Sequence, residues 1–227
     1  MNYPEILFED NHLLIVNKLP SQIVQGDKTG DQPLSELLKE YLKEKYNKPG
    51  NVFLGVAHRL DRPASGVVIF ARTSKSLERI NEMFREKKIK KTYWAVVKNK
   101  PPVDSDHLVH YLKKNEKQNK SFSCLPDDKT ASRSELKYKL INSSDNYYLL
   151  EIELITGRHH QIRAQLAAIG CPIKGDLKYG FPRSNPDASI HLHARMVEFI
   201  HPVNKEIITV IASPPSTDPI WNFFKNT

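Results

Sequence analysis

In the stretch HRLDRPASG, residues 58–66, the carboxylate of Asp61 stands between two cations, Arg59 and Arg62. Flanking guanidinium groups favour an ionised carboxylate, which a nucleophile requires. The Pro-Ala-Ser-Gly turn that follows opens into the apolar run Val67, Val68, Ile69, Phe70, Ala71. An acid on a turn that enters a buried strand is fixed by a rigid element and stays accessible. Taken alone, Arg-Leu-Asp-Arg reads better as an exposed ion pair on a loop. Glycoside hydrolysis calls for two carboxyl groups around the scissile bond, and no second acid accompanies Asp61 here. Tyr93, in KTYWAVV, offers a ring for stacking and a hydroxyl for proton transfer, or simply a core side chain. Arg163, which closes TGRHHQIR, is either a partner for a carboxylate or a solvated helix residue. The histidine pairs His159/His160 and His191/His193 have spacings that metal ligands can adopt. They lack an HExxH pattern or a cysteine partner, so the expectation is a structural role and no metal.

These residues need elements to hold them. Ile6 to Phe8 and His12 to Val16, joined by Glu9-Asp10-Asn11, predict a hairpin. Leu34, Leu37, Leu38, Tyr41 and Leu42 recur at helical spacing, with Asp31 as a candidate cap and Pro33 near the start. The continuous apolar run from Gly66 to Ala71 predicts a buried strand. A helix opens at Ser74, with Leu77, Ile80 and Phe84 on one face. Residues 92–97 predict a strand packed on both sides. Residues 99–133 carry charge, Pro and Ser with little periodicity and are expected to be an excursion between strands. Alternation returns at Leu136, Tyr138, Leu140 and at Leu150, Ile152, Leu154. The stripe Ile162, Leu166, Ile169 predicts a helix ending at Gly170. Leu192 to Ile200 and Ile207 to Ala212 read as closing strands. Short connections between numerous strands argue for an α+β fold, a mainly antiparallel mixed sheet flanked by helices.

With 227 residues, 39% hydrophobic and 26% charged, the chain is of globular composition and long enough to bury a core. The expected organisation is one domain over residues 1–227. A net charge of +8 favours a polyanionic partner. The two cysteines, Cys124 and Cys171, form no CxxC pair, which argues against a disulfide framework or a cysteine zinc site. An acidic N-terminus without an apolar signal core, and apolar runs too short for a bilayer, lead to the expectation of a cytoplasmic protein without membrane contact.

Three stretches together resemble one family. HRLDRPASG resembles the HRLD-x-x-[ST]-S-G motif of the RluA-type RNA pseudouridine synthases. Lys91 to Val97 resembles their K-x-Y-x-A-x-V strand, and Leu154 to Arg163 their L-x-TGR-x-HQIR segment. Gly175-Asp176-x-x-Tyr179-Gly180 and Leu192-His193-Ala194 follow in the family's order. Ala64 departs from the pattern, standing where the family often has Thr.

The resemblance implies the pseudouridine synthase catalytic fold, in a short form without an N-terminal RNA-binding domain. It implies isomerisation of a uridine in tRNA or rRNA, with Asp61 as nucleophile, Tyr93 as the active-site tyrosine and Arg163 as the cation paired with the aspartate. It also implies substrate contacts from His58, Arg59, Arg62 and Leu192. His58 would order the loop, and Leu192 would pack against the uracil. The reaction is redox-neutral, so no cofactor is expected. The expected partner is RNA, with the target uridine in a loop where extrusion is cheapest, and the expected state is a monomer. The alternatives are a non-catalytic RNA-binding protein on the same fold, and a nucleosidase or glycosidase acting on small substrates.

Overall fold

The computed structural model describes residues 3–27, 29–225 and 227. In chain order the elements are β1 (Glu5–Glu9), β2 (Leu13–Lys18), α1 (Leu34–Lys45), β3 (Gly55–Val56), β4 (Ser65–Ala71) and α2 (Ser74–Arg85). Then come β5 (Lys90–Val97), β6 (Ser105–Asn115), β7 (Lys120–Cys124), β8 (Ser132–Ser143), β9 (Tyr148–Leu154) and α3 (Gln161–Ala168). The chain closes with a 3-10 turn (Leu177–Tyr179), β10 (Leu192–Ile200), β11 (Ile207–Ile211) and α4 (Pro219–Phe224). These residues fall into two compact units, Met1–Ile89 with Arg195–Ser213, and Lys90–Ala194 with Pro214–Thr227.

In the first unit β1, β2 and β4 lie side by side, β3 extends β4, and β11 pairs with β10, every one of these pairings antiparallel. β2 and β4 are apolar on both faces because both faces are covered. Leu13, Ile15, Val67 and Ile69 pack with Ile80 of α2. Leu14, Val16, Val68 and Phe70 pack with Leu34, Leu38 and Leu42 of α1. Continuous apolar strands are the sequence mark of such a two-sided sheet. At the start of α2, Thr73 caps the helix by accepting the N–H of Ser76. Asp31 does not cap α1, whose N-cap is Pro33. Its carboxylate is taken by Arg62 and by the Thr29 hydroxyl.

The second unit orders its strands β5-β9-β8-β6-β7, again antiparallel throughout. Residues 99–133 are not the irregular excursion their composition suggested. They hold β6, β7 and the entry to β8, and β6 pairs with β8 from Ser105↔Lys139 to Leu112↔Ser132. The alternation was masked because only Leu108 and Leu112 are buried along β6, while the apolar Val109 is exposed and the remaining side chains are charged or polar and exposed or half-buried. α3 ends as expected: Gly170, at φ 77°, donates to Ala167, and Cys171 donates to Leu166. α4 was not foreseen. Asp218 caps it, accepting from Ile220 and Trp221, and Pro219 opens it. Trp221 and Phe224 then pack on Trp94, Val96 and Leu149.

Candidate active site

The turn that carries Asp61 is built on backbone bonds. Ala64 N–H closes it on the Asp61 carbonyl at 3.0 Å, and Ser21 N–H binds the Arg62 carbonyl at 2.9 Å. Beneath it lies Lys18, the last residue of β2, with 0% of its surface exposed. Its Nζ donates to the carbonyls of Ala64 at 2.7 Å, Leu19 at 2.9 Å and Arg62 at 3.1 Å. Three acceptors match the three N–H bonds of an ammonium. Burial pulls the Lys18 ammonium down to about 7, the Asp61 carboxylate works to raise it, and the Arg62 guanidinium to lower it. A buried lysine therefore ties both sides of the turn together, close enough to sense the Asp61 charge.

Gly66 pairs with Lys18 at the end of the β2–β4 ladder. Its φ of 113° is one that a side chain rarely adopts, which accounts for Gly at the end of HRLDRPASG. His58 is tied to β4: Nε2 accepts the backbone N–H of Ile69 at 3.0 Å, and its ring lies 4.9 Å from that of Phe84. Nε2 is thus an acceptor, with the ring proton on Nδ1. Arg59 is exposed, Asp61 is half-buried, and Arg62 is held outward by Asp31. Ala64 contributes its backbone N–H and carbonyl to the turn, so the missing hydroxyl removes none of the bonds described here.

Tyr93, Arg163 and Leu192 belong to the second unit, on β5, α3 and the first residue of β10. Tyr93 pairs with Ile152 of β9 and is buried. Leu192 is also buried, and its neighbour His191 accepts the Val96 N–H of β5 at 3.0 Å. Arg163 is no solvated helix residue, being 4% exposed. Its Nε and Nη2 donate to the two carboxylate oxygens of Asp176 at 2.7 and 2.8 Å, a bidentate pair. The Arg163 guanidinium also sits 5.0 Å from the centre of the Tyr179 ring, as does the Lys120 ammonium.

The TGRHHQIR segment holds itself in place. Gln161 Oε1 accepts from the Thr156 hydroxyl at 2.7 Å and from the Arg158 N–H at 3.0 Å. Gln161 Nε2 donates to the Glu135 carbonyl at 3.0 Å, and Thr156 Oγ1 accepts the Glu135 N–H at 2.8 Å. Thr and Gln at this spacing thus clip the loop to β8 and aim the helix that carries Arg163. His160, at φ 51°, opens α3, and its Nδ1 meets the Tyr179 hydroxyl at 3.1 Å.

Residues 12–168 match the model of the RNA pseudouridylate synthase family. The chain belongs to that family. It is 38% identical over 216 residues to ribosomal large subunit pseudouridine synthase C of Buchnera aphidicola subsp. Acyrthosiphon pisum, covering 91% of this chain and 66% of that relative. The protein of the same name from Rickettsia bellii is 32% identical over 215 residues, covering 93% of this chain and 68% of that one. The chain thus spans about two thirds of the length of these relatives. Human RNA pseudouridylate synthase domain containing 4 superposes with a TM-score of 0.81 at 22% identity, over 97% of this chain and 92% of that chain. The shared architecture is the α+β pseudouridine synthase fold.

Within this family fold, sequence reasoning gave no role to three residues that the geometry singles out. Lys18 looks like an ordinary strand-end lysine, two residues beyond the apolar run that ends at Val16. Asp176 and Tyr179 fall in the Gly175-Asp176-x-x-Tyr179-Gly180 motif, whose residue types alone point to no role. Gly175, which precedes Asp176, has φ 86°, and a Cβ there would lie 2.7 Å from the Ser189 carbonyl oxygen. The histidines are engaged within the second unit. His159 stacks on His160, and His191 bonds Asn185 at 3.1 Å and Asp218 at 3.0 Å. The His193 ring lies 5.9 Å from that of Trp221. Asp218 is lowered to about 2 by its bonds to His191 and to the α4 backbone, against the opposing effect of its own burial.

Proposed function

We propose that this protein is an RNA pseudouridine synthase that isomerises a uridine in ribosomal or transfer RNA. The observation that carries the reading is the Asp61 turn, fixed from below by Lys18 within a chain of this family. The bond from uracil N1 to the sugar breaks, and the bond from uracil carbon 5 to the same sugar carbon forms. N1 gains a proton, carbon 5 loses one, and no electrons are exchanged, so the reaction calls for neither cofactor nor metal. Asp61 supplies the carboxylate that attacks at the sugar, and the Tyr93 hydroxyl is assigned to moving the proton. Arg163, by resemblance, is the cation that serves Asp61. His58, Arg59, Arg62 and Leu192 are assigned to the substrate, with the target base extruded from its stack.

The two units are taken to work as one catalytic domain, in a cytoplasmic monomer. Among the described residues no helix is long and apolar enough to cross a membrane. The relatives' names make large-subunit ribosomal RNA the first substrate to assay.

The deciding experiment uses RNA tritiated at uracil carbon 5, with release of tritium as the readout of isomerisation. Asp61→Asn should lower turnover by about 10³-fold or more. Its RNA affinity should stay near that of the wild type, because phosphate contacts dominate affinity. Turnover by Asp61→Asn at the wild-type rate would remove the nucleophile assignment. Tight RNA binding with no tritium release from the wild type would leave a non-catalytic RNA-binding protein on the same fold.

A further inference from the structure

A cleft of about 390 Å³ opens in the second unit, lined by Leu112, Lys113, Lys114 and Ser121, by Thr130 and Ser132, and by Arg158 and His159. It lies where the β6–β7 hairpin and the start of β8 meet the loop that leads into α3. Its lining combines three permanent cations with three hydroxyl groups. Ammonium and guanidinium donors around one open cleft suit a phosphate oxygen, which accepts several hydrogen bonds and carries charge, while the Ser121 and Thr130 hydroxyls already donate to the His159 carbonyl and the Asp128 carboxylate.

The cations here are weakly engaged. Among the described residues Lys114 pairs only with Glu116, at 2.7 Å, and both side chains are solvent-exposed. Lys113 meets Asp128 at 3.4 Å, a long contact. Arg158 makes no ion pair with any described residue, and its backbone N–H is bound by Gln161. Exposed pairs of this kind yield readily to a more strongly charged anion. The floor, in contrast, is rigid. Ser121 donates its hydroxyl to the His159 carbonyl at 2.7 Å, and its N–H binds the Tyr179 hydroxyl at 2.8 Å. Tyr179 in turn faces the guanidinium of Arg163. The cleft is thus tied through Ser121 and Tyr179 to the helix that carries Arg163.

We propose that this cleft is a subsite for a backbone phosphate of the substrate RNA, gripped by Lys114 and Arg158. The proposal rests on the reading of the protein as an RNA-modifying enzyme. It adds a fixed point on the RNA strand outside the Asp61 turn, which would set the register of the strand on the second unit.

The test measures affinity for a fluorescent stem–loop RNA at several salt concentrations. The wild type is compared with Lys114→Ala/Arg158→Ala and with a charge-matched control, Lys43→Ala/Lys75→Ala, on the exposed faces of α1 and α2. Losing the one phosphate contact that these two cations share should reduce the slope of log affinity against log salt by about 0.7–0.9 and weaken binding about tenfold at low salt. The control should change the slope by much less. Equal loss in both double variants would reduce the effect to net charge, and no loss in the first would remove the subsite. A further arm adds inorganic phosphate at matched ionic strength. Displacement of RNA by phosphate beyond that caused by chloride, lost in Lys114→Ala/Arg158→Ala, would support the subsite, and the same excess displacement from wild type and this double variant would remove the cleft as the phosphate site. Because the readout is binding, it decides the subsite whether or not pseudouridine forms. Tritium release by the wild type decides the reading of function separately.

Discussion

The turn of Asp61 and the surroundings of Arg163 are built in opposite ways. At Asp61 the protein grips main chain: Lys18 donates to three carbonyls, and the turn closes through the Ala64 N–H. At Arg163 it grips side chain: a bidentate carboxylate from Asp176, a flanking aromatic ring from Tyr179, and a loop clipped by Thr156 and Gln161. Main-chain contacts tolerate substitution of the side chains they pass beneath. Side-chain contacts do not. The first arrangement positions a carboxylate while leaving the adjoining residues to vary, as Ala64 has. The second fixes residue identities at several separate points in the chain.

The largest effect should come from breaking the side-chain arrangement. Asp176→Ala leaves a guanidinium buried without its bidentate partner, and a broken buried pair costs about 3–5 kcal/mol. Urea unfolding of the wild type and of Asp176→Ala should show a loss of that order. Asp176→Asn, which keeps one acceptor, should lose less. A loss below about 1 kcal/mol for the Ala variant would mean that Arg163 is held by other groups, and the contrast with the Asp61 turn would collapse.

The main-chain arrangement has its own signature, which is pH dependence. The Lys18 ammonium falls from its ordinary value to about 7 because it is buried. Between pH 7 and about 10.4, the ordinary lysine value, the unfolded chain therefore binds more protons at this site than the folded protein does. The Lys18 contribution to stability rises with pH across that window and is least favourable below 7, where the folded state must hold a charged group out of water. Lys18→Met has no such group. The difference in stability, wild type minus variant, should climb by up to about 1.4 kcal/mol per pH unit from pH 7 to pH 10. A difference that stays flat would mean that the three carbonyls hold the ammonium charged throughout, outweighing its burial.

Much of this was legible in the sequence. Apolar runs at 13–16 and 67–71 have a single reading in a two-sided sheet, and their packing against α1 and α2 follows. HRLDRPASG and TGRHHQIR are short-range patterns whose bonds close within a few residues, as Thr156 to Gln161 does. What escaped depends on distance or on contrast. Asp176 meets Arg163 at a sequence separation of 13, across the rest of α3 and the loop beyond it, a separation that no periodicity reports. Lys18 is polar by type and buried by place, so composition points the wrong way. β6 and β7 show too few apolar residues to display their alternation. α4 is short, and its Asp-Pro start is a common dipeptide that gains meaning only once Trp221 and Phe224 are seen to be buried.

The smallest effect is expected at Ala64, and it sharpens the comparison most. The family pattern allows Ser or Thr at this position, so Ala64→Ser restores a hydroxyl beside Asp61. If the turn is held by its backbone, the bonds from the Ala64 N–H to Asp61 and from Lys18 to the Ala64 carbonyl survive the change. The new hydroxyl adds little to a geometry already fixed, and stability should move by no more than about 1 kcal/mol. Turnover should stay within about twofold, equivalent to about 0.4 kcal/mol in the barrier. The measurements are urea unfolding and tritium release at saturating RNA, with wild type and variant assayed side by side. A gain of about tenfold would show that a side-chain hydroxyl aims the Asp61 carboxylate, and would move this turn into the same class as the Arg163 cluster. A stability loss well above 1 kcal/mol would instead report that the buried space around Ala64 rejects even one added oxygen, making packing rather than Lys18 the constraint on the turn.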